Sequence, residues 1–507
     1  MKRHLIILLL VLIVGSLSGQ RVKGRLEEVD GKQVLTLWGT HRERGYAHGY
    51  LLGEDFVSIF DEYIVKFLCD SSVNYYNTMQ ELFINRYSIE DKYQIEAEAM
   101  LQGMLDKGTD IYNNILERNL NSKDILICNA IPDLSQLMYL LPNSMGCASI
   151  SSWGSSTEAE LDGHLVITRL LDWDAHSSLY ENNLLIVNLP SEESEQPWIS
   201  FTFAGFLGAL SGINAAQVGA FMHMGNEFQC QANDPYYPIL LTIRNGIELD
   251  DYNQDKQNNP QDIVQAIKDR NRSMGSIVHA FQDHGNESPP LIIESNNVKE
   301  VDVRDKSDNT AINGSNLAAT NHFRTLYSPA TCSRYDGIID SLNISATISA
   351  QRSWQILANA AKSEGNLQAI QYIGSKNLIK WSTTSSKENL AYSKAPTQFY
   401  LDSLFSNPAK INIEQSPNRI PSFVLKQNYP NPFNHSTTIE FQLTKTENVS
   451  LTIFNSLGEV VKNLVTQKLN SGHHHYEWNA EGFPSGIYFY QLQTKAHSQI
   501  KKLLLLK

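Results

Sequence analysis

The chain has 507 residues, of which 42% are apolar and 19% charged, enough to bury a large core and to build more than one domain. Its net charge of −13 comes with no basic stretch interleaved with aromatics, which excludes a nucleic-acid footprint and gives no preference for acidic substrates. Beyond the N-terminus no segment is long and apolar enough to span a bilayer.

The first residues, "MKRHLIILLLVLIVGSLSGQ", combine a basic start at Lys2 and Arg3, an apolar run from Leu5 to Val14, and small residues at Ser16 and Ser18. This pattern predicts a secretory signal peptide over residues 1–19, since the run is too short for a comfortable membrane anchor and no cysteine follows it for lipidation. Export gives weight to the five cysteines, Cys69, Cys128, Cys147, Cys230 and Cys332. Five is odd, so at least one thiol lacks an intrachain partner, and no CxxC pair suggests zinc. If one is a nucleophile it is Cys147, with the others paired or simply buried.

Residues 20–146 read as a helical segment. "YLLGEDFVSIFDEYIVKFL" sets Leu52, Phe56, Ile59, Phe60, Tyr63 and Ile64 near helical spacing, and "IEAEAMLQGMLDKGTDIYNNIL" repeats the pattern. In "LWGTHRERGYAHGYLLGE", Gly39, Gly45 and Gly49 are expected to make a tight turn into the first helix, and His41 and His48 to be packed or at the surface rather than ligands. From Cys147 to residue 405 short β-prone runs dominate, among them "HLVITRLLDWD", "WISFTFAGF", "GAFMHMGN" and "PLIIES". Helices return at "PQDIVQAIKDR" and "RSWQILANAAK", which predicts a layered α+β domain. The polar, proline-containing residues 406–422 read as a linker, and 423–507 as a small all-β module of alternating strands.

The stretch "SMGCASISSWGSSTEAELDGHLVITRLLDWD" contains the candidate chemistry. A thiol attacks as its thiolate, and a free α-amino group, with pKa about 8, is a usable base at neutral pH. Cutting the chain between Gly146 and Cys147 would put both groups on one residue. Gly146 suits a scissile bond because it tolerates strained backbone. The alternative from the residues alone is a packed cysteine.

The region from about Leu35 to Leu401 resembles the acyl-coenzyme A:6-aminopenicillanate acyltransferase family, a branch of the cysteine N-terminal-nucleophile hydrolases related to choloylglycine hydrolase and acid ceramidase. The matching pieces run from "GTHRERGYAHGYLLGE" through "GCASI", "DGHLVITRLLDWD", "GALSGINAAQVGA" and "PLIIES" to "AATNHFR" and "SRYDGIIDSL". The resemblance implies a four-layer αββα fold, self-cleavage before Cys147, and an amidohydrolase or acyltransferase in which its sulfur attacks an acyl-amide bond and the thioester passes the acyl group to water or to an amine, with no cofactor or metal. It assigns Arg169 a place beside the thiol, Asp172 the orientation of the new amino group, Asn214 the oxyanion, and Asn321 and Arg334 further active-site places. A guanidinium lowers a neighbouring thiol pKa and a carboxylate holds an ammonium, so the roles are physically coherent. Ala148 and Leu170 depart from the family's usual residues, the Cys147 to Arg169 spacing is long, and Asp174 rivals Asp172.

The C-terminal module resembles a type IX secretion sorting domain through "NYPNPFNHSTTIEF", "LTIFNSLGEVV", "WNAEGFPSGIYFYQL" and "KKLLLLK". This implies an immunoglobulin-like β-sandwich and passage through the type IX machinery to the surface of a Gram-negative bacterium or beyond it. Other signals are weaker. In "DYNQDK", Asp251, Asn253 and Asp255 stand at calcium-loop spacing, but Lys256 occupies the glycine place, so a polar loop is expected. His473, His474 and His475 alternate faces of a strand, which disfavours a metal. Trp153, Trp173, Phe201, Phe203 and Phe206 are core residues unless they line an acyl pocket. A silent exported binding protein and a peptidase of the same nucleophile class are the rival functions.

Overall fold

The computed structural model describes residues 22–138, 146–173, 176–225, 235–283, 288–296, 301–327, 331–361, 365–386, 388–406, 423–443, 446–455, 460–494 and 498–506. The expected signal peptide, Cys230, Asp174 and all of the linker but Ser406 lie outside them. The chain divides into two units after Ser406.

In the first unit the strands are β1 (Gly24–Val29), β2 (Lys32–Gly39), β3 (Tyr112–Asn113), β4 (Arg118–Asn119), β5 (Gly146–Ser152), β6 (Val166–Asp172), β7 (Asn183–Pro190), β8 (Trp198–Phe203), β9 (Ser211–Asn214), β10 (Gly219–Met224), β11 (Ser276–Phe281), β12 (Leu291–Ser295), β13 (Asp302–Arg304), β14 (Asn316–Ala319), β15 (Asn366–Ile373), β16 (Leu378–Thr383) and β17 (Thr397–Tyr400). They form a nine-stranded sheet in the order β1-β2-β7-β8-β9-β10-β11-β12-β13 and a six-stranded sheet in the order β14-β5-β6-β15-β16-β17. The small β3-β4 ribbon stands apart.

Strand alternation sorts the side chains into separate cores. Leu184 and Ile186 of β7, with Ala220 and Met222 of β10, join the helices His41–Ser58, Asp91–Lys107, Ile239–Glu248 and Pro260–Lys268 in one core. Their neighbours Leu185, Val187 and Phe221 enter a second core with Ile167, Ile370, Tyr372 and Trp381 of the six-stranded sheet. A third core sets Ala148, Ile150, Leu170 and Ala369 of that sheet against the helices Ser333–Asn343 and Ala350–Ala360.

Three features of the N-terminal segment differ from the expectation. It opens on a β1-β2 hairpin, with Asp30 (φ 49°) and Gly31 (φ 75°) at the turn, and β2 joins the large sheet through parallel pairing with β7. Gly45 and Gly49 lie inside the first helix rather than in a turn; a Cβ on either would come within 2.1 Å of Glu96 O or 1.8 Å of Met100 O. They let the helices His41–Ser58 and Asp91–Lys107 touch backbone to backbone, and only Gly39, at φ 98°, serves a turn. The chain then widens into a π-helix over Ile59–Leu68.

The second unit contains β18 (Phe423–Leu425), β19 (Ser436–Leu443), β20 (Glu447–Asn455), β21 (Val460–Leu469), β22 (Gly472–Asn479), β23 (Gly486–Thr494) and β24 (Ser498–Leu505). Sheets of order β18-β19-β22 and β21-β20-β23-β24 share one core containing Ile439, Phe441, Leu451, Trp478, Tyr490 and Leu503. His474 stacks on Phe441, whereas His473 and His475 are exposed.

Candidate active site

The β5-β6 register sets Gly146 against Asp172, Cys147 against Leu171 and Ser149 against Arg169. Alternation sends Ala148 and Ile150 to the helix-side core, so Cys147, Ser149 and Arg169 share the other face. Cys147 is 6% exposed. Its main-chain nitrogen donates to Asn321 Oδ1 at 2.6 Å, and Arg169 Nη2 lies 3.8 Å from its sulfur. Burial pushes the thiol up; the guanidinium of Arg169 pulls it down, the Asp172 carboxylate opposes, and Arg334 and the Asp172 main-chain N–H favour the thiolate.

The far sheet completes the holding of these groups. Strand β9 pairs with β10 only over Gly219 to Phe221, so beyond that point the carbonyls of Met222 and Met224 have no β9 ladder partner. Arg169 Nη2 donates to Met222 O at 2.6 Å, and Asn321 Nδ2 donates to Met224 O at 2.8 Å. Arg169 Nη1 also donates to Ser211 Oγ on β9. The guanidinium is fully buried, and its orientation is fixed by one hydroxyl and one carbonyl of the opposite sheet.

Asp172 is held from the other side. Arg334, near the start of the helix Ser333–Asn343, donates through Nη2 to Asp172 Oδ2, and Asn366 Nδ2 donates to Oδ1 at 2.9 Å. Five predicted residues, Cys147, Arg169, Asp172, Asn321 and Arg334, are thus joined through a short chain of contacts, with Gly146 paired to Asp172. Asn214, expected at the oxyanion, is not among them. Its amide donates to Ile247 O and Asn258 Oδ1, and its Oδ1 accepts the Val218 N–H, so it locks the β9-β10 turn on the helix side of the sheet. Ser211 and Asn366 were missed. Ser211 stood within the quoted "GALSGIN", but a lone serine or a strand-end asparagine gives no chemical signal by itself.

Cys69, Cys128 and Cys332 are free and buried, and burial pushes the Cys69 thiol up to about 12. No disulfide forms among the described residues. Trp173, Phe203 and Phe206 share the core that contains Cys147, whereas Trp153 and Phe201 lie in the core between the sheets. Asp251, Asn253 and Asp255 form a loop in which Lys256 adopts φ 68°, so the reason given against a cation there, a missing glycine, does not hold. Asp251 accepts the Lys256 N–H, and Asp262 is committed to capping the helix Pro260–Lys268.

His41 and His48 are both packed. His48 Nε2 accepts the Gly205 N–H, and burial pushes the ring down to about 4. His41, Glu192 and Glu195 bring possible ligand atoms within 4.8 Å of one another. Arg44 already supplies the cation there, 2.9 Å from Glu195 and 3.7 Å from Glu192.

Residues 427–506 match the model of the secretion system C-terminal sorting domain, so the chain is addressed by type IX secretion to the cell surface or the extracellular space. Among curated proteins, the chain is 22% identical over 317 residues to an "Uncharacterized protein" of Archaeoglobus fulgidus, covering 58% of this chain and 50% of that one. It is 26% identical over 184 residues to Protein dcd1B of Dictyostelium discoideum, covering 35% of each. The chain therefore spans half or less of the curated relatives it matches. Among solved structures, the N-acylethanolamine-hydrolyzing acid amidase ortholog of Caenorhabditis elegans aligns at 15% identity and a TM-score of 0.35, covering 50% of this chain and 100% of that one. A variant of the conjugated bile acid hydrolase of Clostridium perfringens aligns at 11% identity and a TM-score of 0.31, covering 54% and 99%.

Proposed function

We propose that this protein is a self-processing cysteine amidohydrolase with an αββα catalytic unit (residues 147–405 after cleavage, with 20–146 as the partner chain) and an immunoglobulin-like sorting module. The carrying observation is the pair of contacts made by one residue, with the Cys147 nitrogen 2.6 Å from Asn321 Oδ1 and its sulfur 3.8 Å from Arg169 Nη2. A nucleophile that takes its base from its own α-amino group needs both ends held.

In self-cleavage the Cys147 sulfur attacks the Gly146 carbonyl carbon, the C–N bond breaks, and the nitrogen leaves with a proton as the new α-amino group. Water then hydrolyses the thioester, leaving a carboxylate on Gly146 and a free thiol. In turnover the amino group takes the thiol proton, the thiolate attacks a linear acyl-amide carbonyl, and the ammonium returns a proton to the departing amine. Water releases the acyl group as a carboxylic acid. Asn321 orients the amino group, Arg169 stabilises the thiolate, and Asp172, fixed by Arg334 and Asn366, keeps the local charge balanced. Chemically this needs no metal.

The test is intact mass and N-terminal sequencing of the exported protein. Two associated chains, the second beginning with Cys147, are expected, and Cys147→Ala should leave one uncut, inactive chain. Acyl-amide hydrolysis that survives Cys147→Ala would end the reading.

A further inference from the structure

A buried base, His223, stands close to the catalytic cluster and has no part in the proposed mechanism. His223 stands on β10 between Met222 and Met224, the two residues whose carbonyls hold Arg169 and Asn321. It is fully buried, and by strand parity it shares the inter-sheet face with Phe221. Its Nδ1 lies 3.2 Å from Ile277 O, which can only accept, so Nδ1 carries the proton and Nε2 presents a bare lone pair. That Nε2 has no hydrogen-bond partner among the described residues, and neither has the Nε–H of Arg169, also fully buried.

These two atoms are complementary, one donor and one acceptor, in a layer closed to solvent. A buried group left unpaired costs about 1–3 kcal/mol, more if charged, so two such groups in one layer call for a bridge. Burial, with Arg169, His279 and Arg334 around the ring, keeps the imidazole neutral and therefore an acceptor.

We infer that His223 is a positioning residue for Arg169: its Nε2 accepts, through one buried water, the hydrogen bond that Arg169 Nε–H offers, and this keeps Nη2 turned towards the Cys147 sulfur. The inference rests on the reading of Cys147 as the nucleophile. Without the acceptor, the buried Nε–H is left unpaired and only Ser211 and Met222 hold the guanidinium, so Nη2 is kept less firmly beside the thiolate. With the acceptor, three sides of the guanidinium are fixed, by Ser211, Met222 and His223.

The test is the pH dependence of Cys147 alkylation by iodoacetamide, followed by mass spectrometry of the peptide containing it, in wild type, His223→Gln and His223→Met. Glutamine keeps an acceptor oxygen and methionine keeps only volume. The Met variant should raise the thiol pKa by about one unit, slowing alkylation about tenfold at neutral pH, while the Gln variant should stay within about twofold of wild type. Equal behaviour of the two variants, or no shift in either, overturns the inference. Nitrogen-15 NMR of histidine-labelled wild type needs no variant to fold: an unprotonated, hydrogen-bonded Nε2 on His223 from pH 5 to 8 is expected, and a protonated Nε2 overturns it. Alkylation does not require turnover, so these outcomes stand apart from the activity of Cys147→Ala, which judges the nucleophile itself.

Discussion

Arg244→Met removes the centre of a buried charge network that ties the N-terminal segment to the rest of the first unit. Arg244 is fully buried on the helix Ile239–Glu248 and donates to Glu96 at 2.9 and 3.1 Å, to Glu248 at 2.9 Å and to Leu207 O at 2.9 Å. Glu96 also meets His41 Nδ1 at 2.7 Å, and Glu248 meets Arg44 at 2.8 Å. Removing one partner from such a network costs about 3–5 kcal/mol because the remaining carboxylates stay buried with less compensation, against a total stability of about 5–15 kcal/mol. Both carboxylates keep a second cation, which argues for the lower half of that range.

The assay is urea unfolding followed by tryptophan fluorescence, performed on Cys147→Ala protein so that the proposed cleavage does not enter. Arg244→Met should cost about 3 kcal/mol, and adding Glu248→Gln should recover at least about 1 kcal/mol, because the second change removes a stranded charge. A cost below about 1 kcal/mol, or strict additivity of the two, refutes the electrostatic reasoning. The same network predicts a pH dependence. Although burial alone would lower it, the hydrogen bonds that His41 donates to Glu195 and Glu96 raise its pKa above 6.5. Its contribution is therefore complete below that unfolded value and fades as pH rises through the folded one. On the acid side Glu96, held down to about 2 chiefly by Arg244 against its burial, contributes above its unfolded value near 4.5 and loses this as pH falls towards 2. His41→Gln should flatten the alkaline limb and, because His41 also helps to hold Glu96 down, weaken the acid limb in part.

Asp172→Asn should lower turnover about a hundredfold by freeing Arg334 from its partner, measured on purified protein with an acyl-amide panel, and Asp174→Asn should do far less; the reverse order would reassign the carboxylate. Gly49→Ala should largely abolish folded protein, since its methyl would lie 1.8 Å from Met100 O, while Gly337→Ala, with nothing within 4 Å, should stabilise the helix Ser333–Asn343 by about 0.5–1 kcal/mol; thermal melts compare the two. Deleting residues 423–507 should keep the protein inside the cell envelope and leave amide hydrolysis unchanged, checked by fractionation and by assay of the purified truncated chain.

Much of the fold was legible where the hydrophobic pattern was dense. Leu52, Phe56, Ile59, Phe60, Tyr63 and Ile64 are all buried as their spacing implied, although the pattern does not distinguish the α-helix from the π-helix that follows Ser58. The β1-β2 hairpin escaped because its first strand, "GRLEEV", is mostly exposed and polar, leaving Asp30-Gly31 as its clearest mark. Gly45 and Gly49 were assigned to a turn because glycine signals backbone freedom as readily as close packing. The packing partner, Glu96 to Met100, is about fifty residues away and cannot be seen from local sequence.

The site divides along a similar line. Cys147, Arg169 and Asp172 lie on two consecutive antiparallel strands, so their meeting follows from local pairing and alternation. Asn321 and Arg334 reach the cluster from more than 140 residues away and were found only through the resemblance. Asn214 lies apart from this cluster for a reason that parity alone gives. Phe221 and Ile213 belong to the core between the sheets, so on β9 residues 211 and 213 face Arg169 while 214 faces the helices. The same parity that removes Asn214 selects Ser211, and on β10 it selects His223. The residues that orient the guanidinium are thus the polar ones on inward positions of two strands that stop pairing early, where the chain has carbonyls to spare for groups of the opposite sheet.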